Sequence, residues 1–352
     1  MICHRRLINF IAWIFLLSMQ SCAAGPISET GRPMHHTDEG FRNYPTIEDA
    51  SRLGIKFYWK RFTSSLSHPL VSEHHVLPED KAIALYETLR GENTITWIGQ
   101  STLLIKINGV TILTDPFFSK RASPFIVGPG RYVEPGISPE NLPPIDIILV
   151  SHNHYDHLDE NFIESIPNKN EVQVFAPLKL ESFFSERGLS NIHEMDWYQS
   201  STFKGIQFTA LPTVHFSGRA LGDKNETLWC SWAISGSFGK YYFVGDSAYS
   251  PTLFKDIGET FASFDLAMVT IGTYGNRKYG VNNHTTPEEA VVIGRELNAK
   301  ALLGIHWGTI DLSDEDPWEP PERFQKAAME SGYSSEDVWL MKIGETRTLP
   351  ER

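Results

Sequence analysis

Ser-His-Asn-His-Tyr-Asp-His-Leu-Asp, residues 151–159, gathers three imidazoles around a carboxylate in one short loop, directly after the largely apolar run Ile145 to Val150. Such a run fits a strand buried on both faces. Few folds need clustered histidines for stability. A loop at a strand end can instead turn these side chains to a common point, and a borderline-soft cation such as zinc takes neutral imidazole nitrogen together with carboxylate oxygen. The spacing His-x-His-x-Asp-His is specific, comparable in weight to paired Cys-x-x-Cys, and it marks His152, His154, Asp156 and His157 as candidate ligands.

Further ligands are expected where other apolar strands end, because one face of the fold would gather them. His215 follows Phe208 to Leu211 after a short turn, Asp246 follows Tyr241 to Val244 and Gly245, and His306 follows Leu302 to Ile305. Asp115 also ends a strand. It reads either as a residue that orients a ligand histidine by accepting its free ring N–H, or as a strand-terminating turn aspartate before Pro116. His35, His36, His68, His74, His75 and His193 lack ligand spacing and read as ordinary core or surface histidines.

Outward from the loop, strands and helices alternate. Asp80 to Arg90 has helical spacing ended by Gly91, and strands fit Thr94 to Ile98, Thr102 to Ile107 and Val110 to Thr114, the last two joined by the hairpin signal Asn108-Gly109. A strand at Val172 to Phe175 and a helix from Pro177 to Gly188 follow. Further strands fit Gln207 to Leu211, Trp229 to Ile234, Tyr241 to Val244, Leu266 to Ile271 and Ala301 to Ile305. The capping box Thr286-Pro287-Glu288-Glu289 opens a helix to about Leu297, and a last helix spans Glu322 to Ser331. Strands in two groups with helices outside imply an α/β fold of four layers, αββα, with two mixed sheets and helices on both outer faces.

Several stretches together resemble the metallo-β-lactamase superfamily, and within it the N-acyl-phosphatidylethanolamine-hydrolysing phospholipase D branch. They are Leu-Thr-Asp-Pro at 113–116, Arg-Ala-Ser-Pro at 121–124, Leu-Pro-Pro-Ile-Asp at 142–146, the histidine loop, Phe-Ser-Gly-Arg at 216–219, Leu-Trp-Cys-Ser-Trp at 228–232, Gly-Asp-Ser at 245–247, His284 with Pro-Glu-Glu-Ala at 287–290, and Ile-His-Trp-Gly-Thr at 305–309. The resemblance covers about residues 90 to 325. It implies one zinc on His152, His154 and His215, a second on Asp156, His157 and His306, and Asp246 bridging both. Two such cations can share a hydroxide made at neutral pH, so no Ser or Cys nucleophile is needed. Asp156, Asp246 and His284 are then the expected catalytic residues. By its match to the branch, His284 in the loop Asn282-Asn283-His284-Thr285 would hold a phosphate oxygen or protonate the leaving group. Iron or manganese fits the same donors.

Two departures from the branch bear on substrate. Gln100 stands where relatives usually carry His, and the loop from Gly272 to Tyr279 lacks the branch's Glu-Pro pair. Both are expected to line the substrate mouth. The activity implied is phosphodiester cleavage of phospholipase D type on N-acyl-phosphatidylethanolamine-like lipids. A lactonase or small phosphate-ester hydrolase on the same dizinc site is the alternative, and a non-catalytic metal-binding envelope protein is a third reading.

The chain of 352 residues is 41% hydrophobic, enough for one large domain, and its net charge of -12, with no basic run past the first few residues, excludes a protein that lives on nucleic-acid phosphates. Residues 1–24 read as a secretory signal: Arg5 and Arg6 precede an apolar stretch from Leu7 to Leu17, too short to span a bilayer, and then small residues. Cys22 stands where a bacterial lipoprotein signal carries its lipidated cysteine, with ordinary cleavage after Ala23 or Ala24 as the other reading. Either way the protein is expected to be exported to the cell envelope, on the periplasmic side of a bacterial membrane, and a lipid anchor would hold it on that surface beside a phospholipid or other small ester. Once the leader is removed and Cys22 is lipidated, only Cys230 remains, so no internal disulfide is available. Residues 25–65 are polar without a period and read as a tether and surface arm, with the catalytic domain at 66–352. The sequence leaves the oligomeric state open.

Overall fold

Alternation along the strands builds the core. The structure is a computed structural model that describes residues 26–27, 31–46, 71–72, 74–125, 127–220 and 222–350. The expected signal at 1–24 with Cys22, and the middle of the expected arm together with the boundary near residue 66, lie outside the described residues.

The first sheet has seven strands: β1 (Thr94–Gly99), β2 (Thr102–Ile107), β3 (Val110–Thr114), β4 (Ile147–Leu149), β5 (Gln173–Pro177), β6 (Asn191–Met195) and, beside β1, β14 (Thr346–Thr348). The second contains β7 (Ser200–Phe203), β8 (Ile206–Leu211), β9 (Ser231–Gly236), β10 (Gly239–Phe243), β11 (Phe264–Thr270), β12 (Ala299–Ile305) and β13 (Val338–Trp339) in spatial order. Each sheet is mixed. β3 to β6 pair in parallel, as do β10 to β13, while the remaining pairs are antiparallel.

Side chains at period two sort themselves to opposite faces. Leu103, Ile105 and Ile107 of β2, with Ile147 and Leu149 of β4, join the core between the sheets. Leu104, Ile148 and Val150 pack outward against α1 (Glu79–Thr88), α2 (Glu160–Ser165) and α3 (Glu181–Ser185), through Tyr86, Phe162 and Phe184. On the far side α4 (Leu253–Phe261), α5 (Pro287–Glu296) and α6 (Glu319–Glu330) bring Phe254, Ile293 and Phe324 onto the second sheet. This is the αββα sandwich the sequence led us to expect. The capping box at Thr286 and Glu289 forms, with Pro287 opening α5.

Local boundaries differ from expectation in instructive places. The helix expected from Pro177 begins only at Glu181, because Pro177 is the last residue of β5 and pairs with Met195. β9 starts at Ser231 rather than Trp229, and α6 starts three residues early, with Pro320 and Pro321 in its first turn, where their missing N–H groups cost nothing. Of the polar arm, Phe41 is buried in the main core, while His35 and His36 reach Asp196 at 2.6 and 2.8 Å. No helix among the described residues is long and apolar enough to cross a membrane.

Candidate metal centre

Strand ends from both sheets deliver the expected residues to one place. β3 leads into Asp115, β4 into the 151–159 loop, β8 into His215, β10 into Asp246 and β12 into His306. The chain folds tightly to allow this. Gly245 has φ +63°, and a Cβ there would lie 2.4 Å from that of Ser151, so only glycine lets the Asp246 turn approach the histidine loop. His306 itself holds φ +62°.

Two groups of donors result. His152, His154, His215 and Asp246 form one, and Asp156, His157, Asp246 and His306 the other, each with its donor atoms within 4.8 Å of one another. Asp246 belongs to both. Its Oδ2 lies 3.0 Å from His157 Nε2 and 3.6 Å from His215 Nε2, and its Oδ1 lies 3.3 Å from His306 Nε2. Ring nitrogens also face one another: His152 Nε2 and His154 Nδ1 at 2.7 Å, His215 Nε2 and His154 Nδ1 at 3.2 Å, and His157 Nε2 and His306 Nε2 at 3.2 Å. Imidazole lone pairs converging so closely repel unless a proton or a cation stands between them. Buried carboxylates add to the demand for positive charge. The residues therefore fit metal ions.

Charge states follow the same division. Burial, reinforced by neighbouring imidazoles, holds His152 far below the ordinary histidine range, and takes His154 to about 3 and His215 to about 4. These are neutral, as ligands must be. Burial also disfavours charge on His157 and His306, but the carboxylates outweigh it: Asp246, Asp156 and Asp115 raise His157, and Asp246 with Asp156 raises His306 to about 9. The same pairing holds Asp156 and Asp246 well below the carboxylate range against their burial.

Asp115 sits on the far side of the His157 ring, accepting from Nδ1 at 2.7 Å, and it also accepts from Ser151 N and Oγ at 2.7 and 2.6 Å. Ser151 Oγ in turn meets His152 Nδ1 at 2.8 Å, so one carboxylate aligns an imidazole of each group. His284 lies beside the centre, with Nδ1 3.8 Å from Asp246 Oδ1 and without a hydrogen-bond partner among the described residues. Arg277 fixes its backbone by donating to its carbonyl at 2.7 Å while pairing with Glu289 of α5.

Gln100 differs from expectation. It does not line a mouth but is 1% exposed, with Nε2 3.0 Å from Asp156 Oδ2 and 2.9 Å from His306 Nε2. Three residues take positioning roles that the sequence reading did not assign. Asn43 exchanges hydrogen bonds with the His215 backbone at 2.9 and 3.0 Å, Arg219 donates to Asn153 O and Leu158 O at 2.9 and 2.7 Å, and Arg277 acts as above. Asn43 and Arg219 are distant in sequence from what they hold, and although Arg219 and Arg277 lie in stretches already singled out, no local pattern gives them these partners.

Two recesses adjoin the centre. One of about 740 Å³ is lined by Pro124, Phe125, Tyr155, Phe216 and Arg219 among others; Phe125 is 72% exposed, and the Phe216 ring lies 4.4 Å from that of His154. The other, about 330 Å³, includes Thr273, His306 and Trp307.

Comparison with known proteins agrees with this geometry. Residues 110–307 match the family model described as a beta-lactamase superfamily domain. The chain is 35% identical over 295 residues to an N-acyl-phosphatidylethanolamine-hydrolyzing phospholipase D of Caenorhabditis elegans, covering 77% of this chain and 83% of that one. It is 25% identical to a metal-dependent hydrolase of Methanopyrus kandleri, covering 72% of this chain and 98% of the relative. A solved isothiocyanate hydrolase from Delia radicum gut bacteria shares the fold, with TM-score 0.58 at 18% identity over 72% of this chain and 98% of that one.

Proposed function

This chain belongs to the β-lactamase superfamily of metal-dependent hydrolases, and from that premise we propose that it is a dizinc phosphodiesterase of phospholipase D type acting on N-acyl-phosphatidylethanolamine-like lipids. The observation that carries the proposal is the pair of donor groups sharing Asp246. Ions held there would bring the pKa of a bound water toward neutrality and would offset charge on the phosphoryl oxygens. His152, His154 and His215 would hold one ion, Asp156, His157 and His306 the other.

The remaining steps belong to side chains. Asp115 keeps His157 turned with Nε2 toward the centre, and the carboxylates of Asp156 and Asp246 offset the ions' charge. His284, its Nδ1 unpartnered beside Asp246, is placed to hold a non-bridging phosphate oxygen through its ring N–H; burial holds its basicity well below the ordinary histidine range, so giving a proton to the departing alcohol oxygen would require it first to take one up. Arg277 holds the backbone that carries that ring. Substrate class is supported by the 35% identity to a lipid-hydrolysing relative, and by the recess along Phe125, Tyr155 and Phe216, an apolar track that starts at His154 and suits an acyl chain.

The test is product analysis with N-acyl-phosphatidylethanolamine in mixed micelles. Phosphatidic acid and N-acylethanolamine appearing together, and lost in Asp246→Ala, is the expected result. A loaded enzyme that releases neither, while cleaving a lactone or a water-soluble phosphate ester, would refute the lipid assignment and leave the metal centre standing.

A further inference from the structure

Around the second donor group, distances between atoms carry information about coordination number. Ligands about 2.1 Å from a shared ion stand about 3.4 Å apart on a tetrahedron and about 3.0 Å apart on an octahedron. The protein's own separations are 3.0 Å from His157 Nε2 to Asp246 Oδ2, 3.2 Å from His157 Nε2 to His306 Nε2, and 3.3 Å from His306 Nε2 to Asp156 Oδ2. His157 Nε2 to Asp156 Oδ2 and His306 Nε2 to Asp246 Oδ1 are also 3.3 Å, so the set lies between the two geometries. Gln100 joins this set at 3.0 Å from Asp156 Oδ2 and 2.9 Å from His306 Nε2. Its carboxamide thus stands at ligand-to-ligand spacing from two donors of this group, in the range that an added donor to the same ion would occupy.

The amide nitrogen cannot be the atom that serves there once an ion is bound. An N–H group has no lone pair to offer a cation, and His306 Nε2 cannot accept a hydrogen bond while it ligates. A half-turn about Cγ–Cδ presents Oε1 to the same neighbours, at no cost in shape. Oxygen donors of this kind suit six-coordinate, harder ions.

Gln100 is also held too firmly to be incidental. Its N–H donates to Thr309 Oγ1 at 2.9 Å, and its carbonyl accepts from Trp97 Nε1 at 2.9 Å and from His306 N at 3.0 Å. The backbone keeps φ +52°, a left-handed conformation that a non-glycine residue retains only where its surroundings fix it. The third of these hydrogen bonds joins Gln100 directly to the backbone of the ligand position it faces.

We propose that Gln100 is a donor to the second metal position through its carboxamide oxygen, a fifth protein ligand beside Asp156, His157, Asp246 and His306 that makes the position six-coordinate once a solvent ligand joins them, while the His152, His154 and His215 position stays of lower coordination number. The assignment rests on the two-position reading above.

The test is Co2+ titration of the metal-free full chain, followed by visible absorption, for wild type, Gln100→Leu and Gln100→Glu. In wild type the second equivalent adds only the weak bands of a six-coordinate ion. Gln100→Leu binds that equivalent about 10- to 100-fold more weakly, and its bands intensify as a ligand is lost. Gln100→Glu, which keeps an oxygen in place, restores both tight binding and weak bands. The absorption of the first equivalent, unchanged throughout, shows that each variant is folded; should Gln100→Leu fail that control, Gln100→Asn, one methylene shorter, takes its place. A Leu variant with unchanged affinity and bands overturns the assignment, and so does a Glu variant as weak as Leu, which would identify Gln100 as an N–H donor to Asp156 instead. Wild type that takes fewer than two ions would remove the two-position reading itself.

Discussion

At the scale of single residues, the centre is a problem in charge. In the metal-free chain the Asp246 and Asp156 carboxylates push His157 and His306 toward holding a proton against their burial, His306 to about 9. A cation must displace those protons, so uptake near pH 7 releases them and apparent affinity falls as pH falls. Calorimetry in two buffers of different ionisation enthalpy reads this directly; heats that do not depend on the buffer would contradict it. His284 is a separate matter, since it touches Asp246 without completing either donor group. His284→Gln should lower kcat on a lipid diester by about 100- to 10,000-fold while leaving metal content unchanged. Loss of metal in that variant would make His284 a ligand rather than a proton donor.

At the scale of elements, the turns after the strands decide whether the donors meet. Gly245→Ala would force a left-handed backbone onto alanine and press its Cβ against Ser151, the residue through which Asp115 reaches His152. We expect this variant to lose about 1–3 kcal/mol of stability together with metal affinity, read by denaturant unfolding and metal titration; an unchanged protein would mean the turn can shift freely. His215, Asp246 and His306 were legible because each followed an apolar run, and the four donors of the 151–159 loop because of their spacing, without knowing which sheet any of them joined. What stayed hidden is non-local. β6, with the mixed pattern Asn191-Ile192-His193-Glu194-Met195, becomes a strand because β5 pairs with it, and the two-residue β13 exists only beside β12. Gln100 shows the limit most clearly. Its departure from the usual histidine could be seen in sequence, yet only the packed structure places it against Asp156 and His306 rather than at the mouth.

At the scale of the molecule, two kinds of partner are called for, metal ions at the donor groups and, in our proposal, a lipid substrate with the surface that carries it. The acidic chain, net -12, gains nothing from anionic lipid by charge alone, so contact with a lipid substrate needs the apolar recess at Phe125 and, in our proposal, an acylated Cys22. Cys22→Ser should move the expressed protein from the membrane fraction to the soluble periplasmic fraction without altering hydrolysis of a soluble diester; equal membrane retention would remove the anchor from the account. The polar arm, by contrast, has a fixed part: Phe41 in the core, His35 and His36 on Asp196, and Asn43 on the His215 backbone tie residues 31–46 to the same end of the sandwich as the donors. The central claim is that two ions share Asp246, and elemental analysis of purified protein tests it most directly, wild type beside Asp246→Ala. Two equivalents of metal per chain in wild type, falling in the variant, is the predicted result. One equivalent or none in wild type, or two that survive the loss of Asp246, would contradict it.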